Sequence, residues 1–129
     1  MMTEHEINSL SHRIIEAAIE VHRNLGPGLL EQTYRKALMC EFQQHGIPAA
    51  AEVEIPFTYK GVNMGTAYRA DIIVENEIIL ELKSTSNDSP LYFKQLLTYL
   101  RLSHKRLGLL INFNNVLLRD GLHRVVNKL

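Results

Sequence analysis

Charge interrupts two apolar stretches of the sequence in a way that could do chemistry. Tyr68-Arg69-Ala70-Asp71-Ile72-Ile73-Val74 and Ile78-Ile79-Leu80-Glu81-Leu82-Lys83 are largely apolar at both alternating sets of positions, the pattern of strands buried on both faces. Asp71, Glu81 and Lys83 break that pattern. Asn76 lies five residues from each acid. A three-residue turn centred there sets the two carboxylates directly opposite, with Cβ atoms ~4.5–5.5 Å apart. A one-residue change of register weakens the pairing. Lys83, two residues past Glu81, leaves the same face of its strand. Two carboxylates in a partly dry site repel, and one is driven neutral unless a cation lies between them. A hard divalent ion such as Mg²⁺ takes oxygen ligands and relieves that repulsion. Lys83 is then left to stabilise an anionic transition state or orient a water. The bland alternative is an ion pair of Lys83 with Glu81 or Asp71 at a sheet rim.

Other candidates are weaker one by one. Glu31 stands early in a helix, three residues after Gly28. It is either a first-turn acid favoured by the helix dipole or an additional carboxylate aimed at the metal. Gln95 shares a helix with Leu91, Tyr92, Tyr99 and Leu102 at spacings of three and four, and it either serves the site or hydrogen-bonds the backbone. Tyr34 and Tyr99 read first as core residues with a wet hydroxyl. The six histidines show no HxH or HExxH spacing, which argues against zinc. His22 reads as a packing or capping residue and Cys40 as a core residue. The sequence holds no GxGxxG, GxxxxGK[ST] or GxSxG, so nucleotide-binding and α/β-hydrolase readings have no support.

The elements that must position these residues follow from periodicity. Ile7, Leu10, Ile14, Ile15, Ala18, Ile19 and Val21 predict an amphipathic helix over about 7–24, with Asn8 or Ser9 as its cap. Leu25-Gly26-Pro27-Gly28 breaks it. A second helix is predicted from Leu29 to His45, with Gly46 beyond it. From Glu52 to Lys60 the period is two, and Pro56 places that strand at a sheet edge. Further strands are predicted over Met64–Val74 and Ile78–Ser84, a helix over Leu91–Ser103, and a central strand over Leu107–Phe113. Leu117–Asn127 reads as a final strand or helical turn. This order, α-α-β-β-β-α-β and a tail, predicts an α/β fold with a mixed sheet and helices on its faces.

Size and charge set the bounds. With 129 residues, 46% hydrophobic and 22% charged, the chain suits one globular domain over 1–129, an extra N-terminal helix and a core over about 29–127. One cysteine excludes an intrachain disulfide. Neither a signal-peptide core nor a run of membrane-spanning length is present, so a soluble cytoplasmic protein is expected. Fourteen basic residues balance fourteen acidic ones, which argues against a globally basic DNA-coating protein. The balance hides an asymmetry. Residues 94–128 hold Lys94, Arg101, Lys105, Arg106, Arg119, Arg124 and Lys128 against Asp120 alone, a stretch that could face phosphates or simply solvent.

The same residues resemble a known family. Gly28-Leu29-Leu30-Glu31-Gln32-Thr33-Tyr34 looks like the motif that names the GxxExxY proteins. The likeness continues through Tyr68-Arg69-Ala70-Asp71, Glu81-Leu82-Lys83-Ser84, Gln95-Leu96-Leu97-Thr98-Tyr99-Leu100 and Gly108-Leu109-Leu110-Ile111-Asn112-Phe113, across roughly residues 7–126. That family is similar to the PD-(D/E)xK, or restriction-endonuclease-like, nucleases, whose core is α-β-β-β-α-β around a mixed sheet. The resemblance implies that Glu31 is the helix acid, Asp71 and Glu81 the metal-binding pair, Lys83 the motif lysine, and Gln95 the glutamine of the following helix. It implies Mg²⁺ (or Mn²⁺), phosphodiester hydrolysis and a nucleic-acid partner, DNA first. Arg69, Lys94, Tyr99 and Arg101 become the candidate substrate contacts. The alternative is a non-cleaving nucleic-acid-binding or partner-binding module on the same fold, within a homodimer or a larger DNA-processing assembly.

Overall fold

Thr3 starts the first helix. Its hydroxyl accepts the Glu6 N–H (3.1 Å), and the Glu6 carboxylate accepts the Thr3 N–H (2.9 Å), so two donors at the helix start satisfy each other. In the computed structural model, which describes all 129 residues, α1 therefore runs Glu4–Leu25. It begins earlier than its apolar spacing predicts, and neither Asn8 nor Ser9 is the cap. Gly26 and Gly28 take left-handed φ values of 73° and 86°, which glycine alone adopts without strain. The chain reverses there into α2, Glu31–Gln44. The Tyr34 hydroxyl ties the reversal down, donating to the Gly26 carbonyl (2.6 Å) and accepting the Leu29 N–H (3.1 Å). Along α2 only Tyr34, Leu38 and Phe42 are buried. Cys40 falls off that stripe and is exposed, which corrects its reading as a core residue.

β1 (Ala49–Tyr59) and β2 (Val62–Val74) form a long hairpin, and the turn Glu75–Glu77 leads into β3 (Ile78–Lys83). Ser89 then caps α3 (Pro90–Ser103) by accepting the Leu91 N–H (3.2 Å). β4 (Leu107–Asn112) follows. The ambiguous tail is both things predicted, a 3-10 turn at Leu118–Gly121 and a strand β5 at Leu122–Val126.

The sheet order is β1-β2-β3-β4-β5. Only β3 and β4 are parallel, because α3 carries the chain back across the sheet between them. β1 lies at an edge, as Pro56 predicts. β4 is an interior strand, while the middle one is β3. α1 and α2 cover one face over a core of 20 buried residues that takes in Ile72, Leu80, Leu82 and Ile111. α3 covers the other over eight, among them Ile73, Ile79, Leu96 and Leu110. Gly108 lets α3 approach closely, since a Cβ there would stand 2.8 Å from Leu96 Cδ1. No helix is long and apolar enough to cross a membrane.

Candidate active site

The β2–β3 ladder pairs Val74 with Ile78, Ile73 with Ile79 and Ile72 with Leu80. The next register position sets Asp71 opposite Glu81, as the centred turn predicts. There the side chains replace the backbone ladder. The Asp71 N–H donates to Glu81 Oε1 (3.1 Å), and the Leu82 N–H donates to Asp71 Oδ2 (2.8 Å). One oxygen of each carboxylate thus ties the two strands together. Asp71 Oδ1 and Glu81 Oε2 have no partner in the protein, and neither is sealed from solvent. Period-two alternation sends Ile79, Glu81 and Lys83 toward α3 while Ile78, Leu80 and Leu82 enter the larger core.

Burial controls the charge of this pair. Glu81 is 6% exposed. Desolvation, with the Asp71 charge next and Glu31 behind it, pushes Glu81 up to about 8 against the pull of the Asp71 N–H and Lys83. Asp71 is also raised, again by burial, although the Leu82 N–H, Lys83, Arg35 and Arg69 hold it down. Two raised acids sharing a rim favour a proton or a cation between them. For a hard cation the donor chemistry fits: each of the two opposed carboxylates keeps one unpartnered oxygen.

Lys83 is not spent on an ion pair. Its ammonium packs over the Tyr92 ring, 4.4 Å from the centroid, and takes part in none of the ion pairs of the protein. Tyr92, Gln95 and Tyr99 recur at three and four residues along α3 and so share one side of it. Gln95 therefore stands half-buried between the residue under Lys83 and the residue beneath the acids. Tyr99 is 4% exposed, with its ring 5.4 Å from that of Tyr68. Burial and then the charges of Glu81 and Asp71 push its hydroxyl up to about 12. It floors the acidic pair rather than lining an open surface.

Glu31 is exposed at the start of α2, near enough for its charge to reach Glu81. It does not complete a three-acid cluster, since no three His, Cys, Asp or Glu side chains converge closely enough to hold an ion. Arg69 is exposed beside Asp71 and 3.7 Å from Glu52. Lys94 and Arg101 are exposed on α3, away from the side that bears Gln95.

Sequence reasoning missed five residues here. Glu52, in a left-handed conformation (φ 53°), holds Arg35 at 3.4 Å beside Arg69, and both arginines act on Asp71. The spacing of four between Glu31 and Arg35 was a usable signal; the backbone of Glu52 left none. On the other side of Lys83, its parallel partner Asn112 donates to Asp88 Oδ1 (3.0 Å) and to the Thr85 carbonyl (3.0 Å). His123 Nε2 donates to Asp88 Oδ2 (2.7 Å). This network holds the loop between Lys83 and α3, and Asn112 was legible as the polar residue in an otherwise apolar run.

The family model of the PD-(D/E)XK nuclease superfamily matches residues 8–125. The chain belongs to that superfamily. Its α/β fold is the superfamily's, with a mixed sheet flanked by helices, and PD-(D/E)XK nucleases generally depend on a divalent metal. Among solved structures the chain is similar to an alkaline exonuclease from Laribacter hongkongensis, at 15% identity and a TM-score of 0.43, over 86% of this chain and 76% of that one. No curated protein matches the sequence.

Proposed function

We propose that this PD-(D/E)XK protein is a Mg²⁺- or Mn²⁺-dependent nuclease that hydrolyses phosphodiester bonds in DNA. One observation carries the reading: two opposed carboxylates, Glu81 buried and Asp71 half-buried, each keep one free oxygen, with an unpaired lysine on the same face. Asp71 and Glu81 would hold the ion, and Glu31, exposed at the start of α2, adds negative charge that reaches Glu81. A bound Mg²⁺ supplies Lewis acidity and lowers the pKa of a water. Lys83 orients that water or meets the charge that develops on the phosphate. Gln95 presents a neutral hydrogen-bonding group from α3. Arg69 and Lys94 hold flanking phosphates, and Arg101 a phosphate farther along the strand. Tyr99, the other candidate substrate contact, supports the acids from below. The motif Gly28–Tyr34 and the residues after it support membership of the GxxExxY proteins within the superfamily.

The test is cleavage of single-stranded, duplex and branched DNA, and of RNA, with Mg²⁺ or Mn²⁺. Cleavage should fall by at least ~10²–10³-fold in Lys83→Ala and vanish in Asp71→Ala, with the fold of both variants intact by circular dichroism. No cleavage of any substrate by the native chain would refute the reading. A second reading rests on the missing three-acid cluster: a nucleic-acid-binding or partner-binding module, as a homodimer or within a larger assembly, that does not cut. Salt-dependent DNA binding without cleavage, unaltered in Lys83→Ala, is the result that favours it.

A further inference from the structure

The side of α3 turned away from the acids carries a second feature. Arg101 is two residues past Tyr99, which turns it about 200° around the helix axis from the residue beneath the acids. It lines a cleft of about 480 Å³ with His104, Lys105, Arg106, Asn127 and Lys128. No acidic or apolar residue lines it. Three separate segments build it: the end of α3, the reversal into β4, and the chain after β5. Backbone geometry holds them in place. His104 takes a left-handed φ of 57° and closes α3, while the Lys105 N–H donates to the Leu100 carbonyl (2.9 Å). The Asn127 N–H donates to the Arg106 carbonyl (2.8 Å), its side chain donates to the Lys105 carbonyl (3.0 Å), and Lys128 follows at φ 57°.

No carboxylate neutralises these charges. Lys105 Nζ donates to the backbone and side-chain oxygens of Asn76 (3.0 Å each), and Arg106 donates to the Met2 carbonyl, all uncharged acceptors. Glu75 and Glu77 flank Asn76, but neither forms an ion pair with a cleft residue. Arg101, His104 and Lys128 donate from their side chains to no protein atom. The carbonyl end of α3 contributes only about half a negative charge, against four permanent cations. An adjoining cleft of about 340 Å³ shares Arg101 and His104 and adds Pro56 and Phe57 of β1 and Leu102. Positive charge therefore borders an apolar wall, a combination suited to a nucleic-acid strand with its phosphates on one side and its bases on the other.

We propose that this cleft is a second phosphate-binding site, which holds the sugar-phosphate backbone of a nucleic-acid strand away from the acidic pair. The proposal rests on the nucleic-acid reading of the protein and deepens it: Arg101 and Lys128 set affinity and length dependence, and the acids set cleavage. Its substrate-side consequence is a preference for strands long enough to pass around α3 from the acids to the cleft.

The experiment separates this from the nuclease reading, because binding is measured in EDTA on oligonucleotides confirmed intact. Fluorescence anisotropy of a labelled single strand across a salt series reads the number of phosphates neutralised. For Arg101→Ala with Lys128→Ala the slope of log K against log salt should become shallower by about 1.4, and affinity at low salt should fall at least tenfold. The equal charge change Arg23→Ala with Arg119→Ala should leave the slope within error. Asp71→Asn should retain the native slope. Thermal unfolding of each variant reports that the fold is kept, and Arg101→Lys should restore most of the lost slope. Inorganic pyrophosphate is the second probe, followed by NMR at His104. Pyrophosphate that shifts His104 and competes with the oligonucleotide supports the proposal. An unchanged slope in the cleft variant, an equal loss in the control, or pyrophosphate binding without competition each overturns it. Failure to cleave any substrate would count against the nuclease reading alone.

Discussion

Along β3, Ile78, Leu80 and Leu82 enter the core beneath α1 and α2, whereas Ile79, Glu81 and Lys83 turn toward α3. The larger core gathers 20 buried apolar residues, with the Tyr34 ring stacked on Phe113 at 4.3 Å. The smaller gathers eight and gives way at its rim to Asp71, Glu81 and Lys83. A desolvated acid lowers stability unless a proton or cation neutralises it. One face of the sheet therefore supplies the packing that lets the other keep a costly pair of charges in place.

Substitutions on the two faces should separate stability from chemistry. Phe113→Ala removes a fully buried ring and its stack on Tyr34; chemical denaturation should register a loss of ~3–5 kcal/mol. Glu81→Gln keeps the shape and removes the buried charge, so at pH 8 its stability should equal or exceed the native value while cleavage is lost. A destabilised Glu81→Gln would break the contrast.

Gly108→Ala tests how α3 is held. The added methyl meets Leu96 at 2.8 Å, and overpacking of this kind costs ~1–3 kcal/mol. Because α3 carries Tyr92, Gln95 and Tyr99, cleavage should fall by more than the loss of folded protein explains. Equal losses would mean that α3 moves without disturbing the acids.

A change of pH sharpens the comparison further. Burial raises Glu81 from 4.5 to about 8. Between those values the folded chain holds a proton that the unfolded chain has released. The associated stability is complete below about 4.5 and is lost as pH rises toward 8. In EDTA, Tm should therefore fall from pH 5 to pH 8, and Glu81→Gln should flatten the fall. Added Mg²⁺ should raise Tm at pH 8 in the native chain and not in Asp71→Asn.

Much of this was legible because it follows from local periodicity. The centred turn at Asn76 placed Asp71 opposite Glu81, and alternation put Lys83 beside Glu81. Pro56 marked the outer strand. The start of α1 was misjudged because Thr3 and Glu6 cap through polar atoms that an apolar spacing does not register. Cys40 was misread because only positions 34, 38 and 42 of α2 are fully buried. Arg35 and Arg69, whose charges add to the pull of Lys83 on Asp71, gather around Glu52, and the latter's left-handed backbone leaves no trace in residue type. His123 reaches Asp88 across 35 residues, a contact that only the fold creates.

The outer strand bears on how the protein behaves in a crowded solution. β1 presents a free rim, and rims of this kind can recruit other chains into fibrils. Here the left-handed Glu52 and the ring of Pro56, with register shifts on both sides of Pro56, cut the rim into short pieces. Only Val53-Glu54-Ile55 lies unbroken between the two, well below the roughly six residues that self-templating stacks require. The distortion that sets Glu52 between two arginines beside Asp71 thus also keeps neighbouring molecules from adding a strand along β1.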